Sequence, residues 1–366
     1  MSNIRNIKSV LGLLEPYDPG LFPSDITQRY GIPENKIVNL SSNENPYPPP
    51  KRLIRRIAEV LESANRYPNP SYAELKEAIS EYVGLPPDHI AVGNGSSDLI
   101  DLTCKVILTP LDKVVIPVPT YALYMLTSMI WETSIMYVET EDSQFRLTAK
   151  EIKPFLDGAK LIFLGSPNNP TGIGVEKDEL SEMLKAKDAT FVVDEAYYEF
   201  SDKTAVDLIE KHKNLIILRS MSKYFCLAGF RIGYALSNPV LAAGLEKVRL
   251  PFNINSLAQN AAVLALQNPE YFRKICEEII FERDRLTREL ERIGLRSFPS
   301  EANFLMVQLP EGRDVDKFTE ELASRGIIVR SLNKLLGLPQ DYFRVTVGTK
   351  SENRRFIRAC KTILSA

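Results

Sequence analysis

Histidine is almost missing from this chain. Among 366 residues only His89 and His212 occur, and the four cysteines, Cys104, Cys226, Cys276 and Cys360, stand far apart without a CxxC pair. Nitrogen and sulfur ligands at metal-binding spacing are therefore lacking, so the cysteines read as buried free thiols and no metal site is expected. Surplus charge is missing too. Forty-five basic against 47 acidic residues leave a formal net charge of −2, which offers no basic field to gather phosphate backbones, and nucleic acid is not an expected partner. No run approaches the ~20 apolar residues of a membrane-spanning helix. The apolar stretch from Val10 to Leu14, ended by Glu15, is too short and poorly flanked for a signal peptide. Without a secretory signal the sequon Asn94-Gly95-Ser96 has no glycosylation to serve. A globular, cytoplasmic protein is the expectation.

What is present is ordinary in bulk: 44% hydrophobic and 25% charged residues, near globular averages. The length exceeds what one hydrophobic core normally supports, so two domains are expected. From about Ile90 to Leu236, β-rich runs alternate with helical patterns, the signature of βαβ units around a mostly parallel sheet. The strands expected are Ile90–Val92, Lys113–Val118, Leu161–Leu164, Thr190–Val193, Leu215–Leu218 and Ile232–Leu236. Several are apolar on both faces, as strands covered by helices above and below must be. Beyond Pro251 an amphipathic helix is expected from Pro269 to Ile293, stopped at Gly294. An α+β pattern follows, with strands near Phe304–Val307, Gly326–Arg330 and Phe343–Val347 and helices near Val315–Ala323 and Glu352–Leu364. The division expected is a large domain of residues 40–255 and a smaller α+β domain of 256–366 joined by residues 1–39.

The chemistry concentrates at strand ends. Ser220-Met221-Ser222-Lys223 follows the strand Leu215–Leu218, which puts Lys223 on a loop at a carboxyl edge, where open α/β sheets bind ligands. A lysine there is ordinarily a solvated surface charge; its company says otherwise. Asp194, in Val192-Val193-Asp194-Glu195-Ala196-Tyr197, ends an apolar strand, where an unpaired carboxylate is costly to bury. It calls for a cation, and opposite charges at ~4 Å attract by about 4 kcal/mol at an effective dielectric of ~20. The protonated pyridine nitrogen of pyridoxal phosphate is such a cation, and the contact would keep that ring an electron sink. Ser166-Pro167-Asn168-Asn169-Pro170-Thr171-Gly172 opens on the same edge after Leu161–Leu164, with paired asparagines that a turn alone does not require. Val92-Gly93-Asn94-Gly95-Ser96-Ser97-Asp98 leads from a strand into a helix, where glycines and hydroxyls at a helix N-terminus form an anion site. Asp98 stands where the dinucleotide fingerprint has its third glycine, so this is not that motif. Arg231 is the natural counter-charge for a phosphate held there.

In this order, the motifs Ser-Pro-Asn-Asn-Pro-Thr-Gly, Asp-Glu-Ala-Tyr, Ser-Met-Ser-Lys and Gly-Phe-Arg-Ile-Gly make the chain resemble fold-type I aminotransferases nearly end to end. Asn43-Glu44-Asn45-Pro46, Arg66-Tyr67-Pro68, Ala302-Asn303-Phe304, Gly326-Ile327-Ile328-Val329-Arg330 and Phe343-Arg344-Val345-Thr346-Val347-Gly348 look more narrowly like the histidinol-phosphate aminotransferase branch, which also holds threonine-phosphate decarboxylases. The resemblance implies a three-layer α/β/α fold with a mostly parallel sheet plus a smaller α+β domain, and pyridoxal 5'-phosphate as cofactor. It implies that Lys223 carries the cofactor aldehyde and shuttles protons, that Asp194 faces the pyridine nitrogen, and that Tyr197 and Asn169 hold the phenolate oxygen. Tyr121 would stack on the ring, while Ser96, Ser97, Ser220, Ser222 and Arg231 would bind the phosphate, joined by Tyr67 from the other subunit of a homodimer. Tyr17, Asn43, Arg330 and Arg344 would hold the substrate. Phe252 falls where some members have a tyrosine, which removes one hydroxyl. The expected activity is amino transfer from histidinol phosphate to 2-oxoglutarate. Cofactor motifs do not separate it from decarboxylation of threonine phosphate or from aromatic amino-acid transamination, since the bond held perpendicular to the ring decides the reaction. Leu14-Glu15-Pro16-Tyr17-Asp18-Pro19-Gly20 looks like the transaminase form.

Overall fold

The computed structural model describes residues 7–365; residues 1–6 of the N-terminal segment and Ala366 lie outside the described residues. Thirteen strands form three sheets. In chain order they are β1 (Val38–Asn39), β2 (Ile90–Gly93), β3 (Lys113–Val118), β4 (Ser134–Glu139), β5 (Ala159–Gly165), β6 (Thr190–Asp194), β7 (Leu215–Ser220) and β8 (Gly233–Ser237), then β9 (Arg296–Ser297), β10 (Phe304–Gln308), β11 (Ile327–Ile328), β12 (Arg330–Ser331) and β13 (Tyr342–Thr346). The large sheet has the order β2-β8-β7-β6-β5-β3-β4. Neighbours from β4 to β7 run parallel, whereas β8 is antiparallel to both β7 and β2.

Alternation along the central strands creates two cores, one per face, because successive side chains of a strand point to opposite sides. Leu161, Phe163, Val192, Ile216 and Leu218 enter one cluster, with Leu99, Leu102 and Tyr124 from the helices Ser96–Ile107 and Ala122–Ile130. Ile162, Leu164, Phe191, Val193, Leu215 and Ile217 enter the other, under the helices Ala73–Val83 and Ser256–Leu266. Burial on both faces is why these runs read as continuously apolar. Strand β4 went unforeseen for the complementary reason: it is an edge strand with mostly exposed side chains and carries no such run.

A third core gathers Val38, Leu40, Leu286, Leu290, Leu305, Val307, Phe318, Phe343, Val345 and Phe356 around the sheet β12-β13-β10-β9. The single strand expected over Gly326–Arg330 is split. Ile327 and Ile328 pair in parallel with β1, while Arg330 crosses to β13. That pairing is how the N-terminal segment joins the smaller body. The helix Ser256–Leu266 packs in the large body's core, and the long helix Pro269–Arg292 contributes Phe272 and Ile275 to that core but Leu286 and Leu290 to the smaller one. We therefore propose that the domain division lies within this helix rather than at residue 255. No helix among the described residues is long and apolar enough to cross a membrane, and among them no three His, Cys, Asp or Glu side chains are grouped to hold a metal.

Candidate active site

A cavity of about 250 Å3 opens where the carboxyl ends of β5, β6 and β7 meet the N-terminal segment and the smaller body. Lys223, Asp194, Tyr197, Asn169, Ser96, Ser97, Tyr121, Ser220, Ser222, Arg231, Tyr17, Asn43, Arg330 and Arg344 all line it. Tyr67 does not. Its side chain is 81% exposed, and its ring stacks on Phe252 at 4.5 Å.

Asp194 is the last residue of β6, and the hydrogen bonds that fix its carboxylate come from the Tyr124 hydroxyl (2.8 Å) and the Ala196 N–H (3.1 Å). Neither brings a positive charge. Burial pushes its carboxyl up to about 6, against the pull of those two donors. Lys223 Nζ donates to the carbonyl of Ser42 at 2.8 Å. Burial, with Arg344 and Arg231 nearby, pushes this amine down to about 8, so a useful fraction is neutral and nucleophilic near neutral pH.

At one end of the cavity the helix Ser96–Ile107 begins after Gly95, whose φ of +86° suits glycine. A Cβ there would lie 2.4 Å from Arg231 Nη2, and one on Gly233 would lie 2.4 Å from the Ser96 nitrogen. The two glycines thus leave room for a group to approach the helix start. Arg231 donates to Ser97 Oγ (3.2 Å) and Ser222 Oγ (3.4 Å), and Ser220 Oγ accepts from the Ser222 N–H at 3.2 Å. Free helix N–H groups, hydroxyls and a guanidinium make a cradle for a dianion.

Also lining the cavity, Arg330 and Arg344 face each other in register across β12 and β13. Arg344 is held by Asn169 Oδ1 and the Ser41 carbonyl, while its buried Nε has no partner among the described residues. Burial lowers its affinity for a proton. Arg330 donates to the Asp18 carbonyl at 2.6 Å, with the Asp18 carboxylate 3.6 Å away. Asn43, which lines the cavity, is 1% exposed and donates to the Tyr197 hydroxyl at 3.0 Å. It is itself fixed through its backbone by Thr346 Oγ1 (2.9 Å) and Asn303 Nδ2 (3.0 Å).

Sequence reasoning missed Tyr124 and the carbonyls of Ser41 and Ser42. Tyr124 lies one turn beyond Tyr121 on the helix Ala122–Ile130, and that i, i+3 spacing was the available signal. Carbonyls carry no side-chain signature at all.

This donor set fits a pyridine aldehyde phosphate: an anion cradle, a buried carboxylate with no cation among the described residues, the Tyr121 ring in the same cavity and an amine of lowered basicity. The family model for aminotransferase class I and II matches residues 35–360. A histidinol-phosphate aminotransferase of Archaeoglobus fulgidus is 41% identical over 98% of this chain and all of its own length. The crystal structure of the histidinol-phosphate aminotransferase from Clostridium acetobutylicum superposes with a TM-score of 0.84 at 30% identity, covering 90% of this chain and 99% of that one. At 23% identity and a TM-score of 0.79, the L-threonine-O-3-phosphate decarboxylase of Porphyromonas gingivalis shares the fold over 90% of this chain and all of its own. A match across nearly the whole sequence, carried by a site of matching chemistry, makes this chain a member of the class I and II aminotransferases, enzymes that work with pyridoxal phosphate.

Proposed function

We propose that the protein transfers an amino group from histidinol phosphate to 2-oxoglutarate in histidine biosynthesis, in the cytoplasm and as a homodimer. The observation that carries the substrate reading is the arginine pair: Arg330 and Arg344 stand side by side in register and line the cavity together with Tyr17. Two guanidiniums suit a phosphate tail in one half-reaction and glutamate's carboxylates in the other, because both anions accept paired N–H donors. The similarity to histidinol-phosphate aminotransferases supports the same reading. The bound cofactor would supply an aldehyde that links to amines and a ring that takes up the electron pair released at the substrate's α-carbon.

The chain's own groups would do the rest. Ser96, Ser97, Ser220, Ser222 and Arg231 would hold the cofactor's phosphate, Tyr121 would cover its ring, and Asp194 would pair with the ring nitrogen. Tyr197 and Asn169 Nδ2 would hold the phenolate oxygen, with Asn43 aligning the Tyr197 hydroxyl. Lys223, whose amine lies 2.8 Å from the Ser42 carbonyl, would hold the aldehyde and move the proton at the substrate's α-carbon. Tyr67, exposed and stacked on Phe252, would reach the phosphate in the neighbouring subunit.

The test is a substrate screen on the reconstituted enzyme, read by the cofactor's own absorbance. Histidinol phosphate with 2-oxoglutarate should turn over faster than threonine phosphate releases carbon dioxide and faster than phenylalanine or tyrosine donates. Dominant carbon dioxide release would replace this reading with a decarboxylase. Light scattering that finds a fully active monomer would remove Tyr67 from the site.

A further inference from the structure

Asp194 owes its orientation to a residue with no assigned part in the reaction. Tyr124 is 2% exposed and donates its hydroxyl to Asp194 Oδ2 at 2.8 Å. Three contacts hold the ring and backbone that carry that hydroxyl. The Tyr124 ring lies parallel to Phe163 of β5, with centroids 4.9 Å apart and planes 2° off. Tyr121 meets its edge at 5.7 Å, and Ser128 Oγ donates to its carbonyl at 2.7 Å. A tyrosine stacked this tightly has one place to send its hydroxyl, and the Ala196 N–H holds the other carboxylate oxygen at 3.1 Å.

We propose that Tyr124 is a positioning residue for the cofactor: acting through Asp194, it keeps that carboxylate ionised and aimed at the ring nitrogen, while its edge contact with Tyr121 keeps the stacking face aligned. The chemistry supports a sign. A neutral hydroxyl donor stabilises the charged carboxylate over the neutral acid, opposing the burial that pushes Asp194 the other way. The other groups that face Asp194 cannot substitute. Glu195 beside it carries the same charge, and Tyr121 and Tyr197 are neutral phenols whose protons burial retains. Without Tyr124 the carboxylate would lose its one side-chain donor and would take up a proton more readily.

The inference rests on the cofactor and not on which amino donor is used. It is tested by equilibrium binding of cofactor to the apoprotein, comparing pyridoxal phosphate with 1-deazapyridoxal phosphate, in which carbon replaces the ring nitrogen. Wild type should prefer the nitrogen-containing form. Tyr124→Phe, which keeps the stacked ring, should shrink that preference roughly 10-fold, the size expected for losing one hydrogen bond to a charged group. Binding of the deaza form should hold, which also shows that the variant is folded. In an Asp194→Asn background Tyr124→Phe should change nothing further. An equal loss for both cofactors would reduce Tyr124 to packing, an unchanged preference would overturn the proposal, and so would a full loss in the Asp194→Asn background.

Discussion

Two cavities approach strand β6, and the larger is the less informative. The larger encloses about 840 Å3, beside Val193 and Glu195, and the buried charges that line it, Arg219 and Glu195, close on one another. Arg219 grips Glu195 at 2.9 and 3.1 Å and lies 3.5 Å over the Tyr198 ring, while Lys203 bridges Glu176 and Glu301 at 3.0 and 2.6 Å. The smaller, about 250 Å3, holds the opposite arrangement. Among the described residues Asp194 has no cation, Arg344 Nε has no acceptor, and Arg231 meets hydroxyls and a carbonyl but no carboxylate. Buried charge is tolerated only when compensated. Groups left uncompensated mark where a ligand supplies the missing partner, whatever the volume of the space around them.

If that distinction holds, substitutions in the small cavity cost activity and those in the large one cost stability. Lys223→Ala should give the largest effect. Turnover should fall roughly 10,000-fold or more, since covalent anchoring and proton transfer are lost together, while the melting temperature of the apoprotein stays near wild type. Borohydride reduction of the wild-type enzyme followed by peptide mapping should place the label on Lys223, and a label elsewhere would sink the assignment. Asp194→Asn comes next, with turnover down about 100- to 1000-fold at saturating cofactor, the usual scale for removing one aligned electrostatic group. Across the strand the outcome should reverse. Arg219→Met leaves Glu195 buried and unpaired and should cost about 3–5 kcal/mol of stability, yet whatever remains folded should turn over nearly normally.

Arg330→Ala should lower kcat/KM for histidinol phosphate by roughly 10- to 150-fold, the equivalent of one charge-assisted hydrogen bond of about 1.5–3 kcal/mol. A phenylalanine or tyrosine donor that outpaces histidinol phosphate in the wild type would show that Arg330 does not read a phosphate.

The smallest effect is in pH. Asp194 is raised from 3.8 to about 6 in the folded apoprotein, so its protonated form favours the fold. That contribution is complete below pH ~4 and is lost as pH rises through about 6, at most about 3 kcal/mol for a shift near two units. Chemical denaturation across this range should show the slope in wild-type apoprotein, and Asp194→Asn should make it shallower, leaving the share of Glu199, whose carboxyl burial pushes up to about 8.

Much of this site was readable before any coordinates. Asp194, Ser220 and the Asn169 loop each follow a continuously apolar strand, and in a parallel sheet such strands deliver their carboxyl ends to one edge. Local pattern gave the strands, and repeated connection gave the edge. Asn43 shows where such reasoning stops. Its motif suggested a place in the site, and the residue does line the cavity, but its φ of +51° and the turn of its amide to Tyr197 are held by Thr346 and Asn303, some three hundred and two hundred and sixty positions away in sequence. The split of Gly326–Arg330 has the same origin, because β1 competes with β13 for neighbouring residues.

By itself, then, the sequence determined the periodicity of the strands, the spacing of its few cysteines and histidines, and which residue types stand at the strand ends, since these depend on residue type and near neighbours. Tertiary structure decided which charges are left unpaired, that Tyr124 holds Asp194, that the carbonyls of Ser41 and Ser42 receive Arg344 and Lys223, and that Arg330 meets Arg344 across two strands. The reason is physical: compensation of a buried charge depends on what the fold packs around it, and backbone carbonyls at distant positions leave no trace in a local pattern.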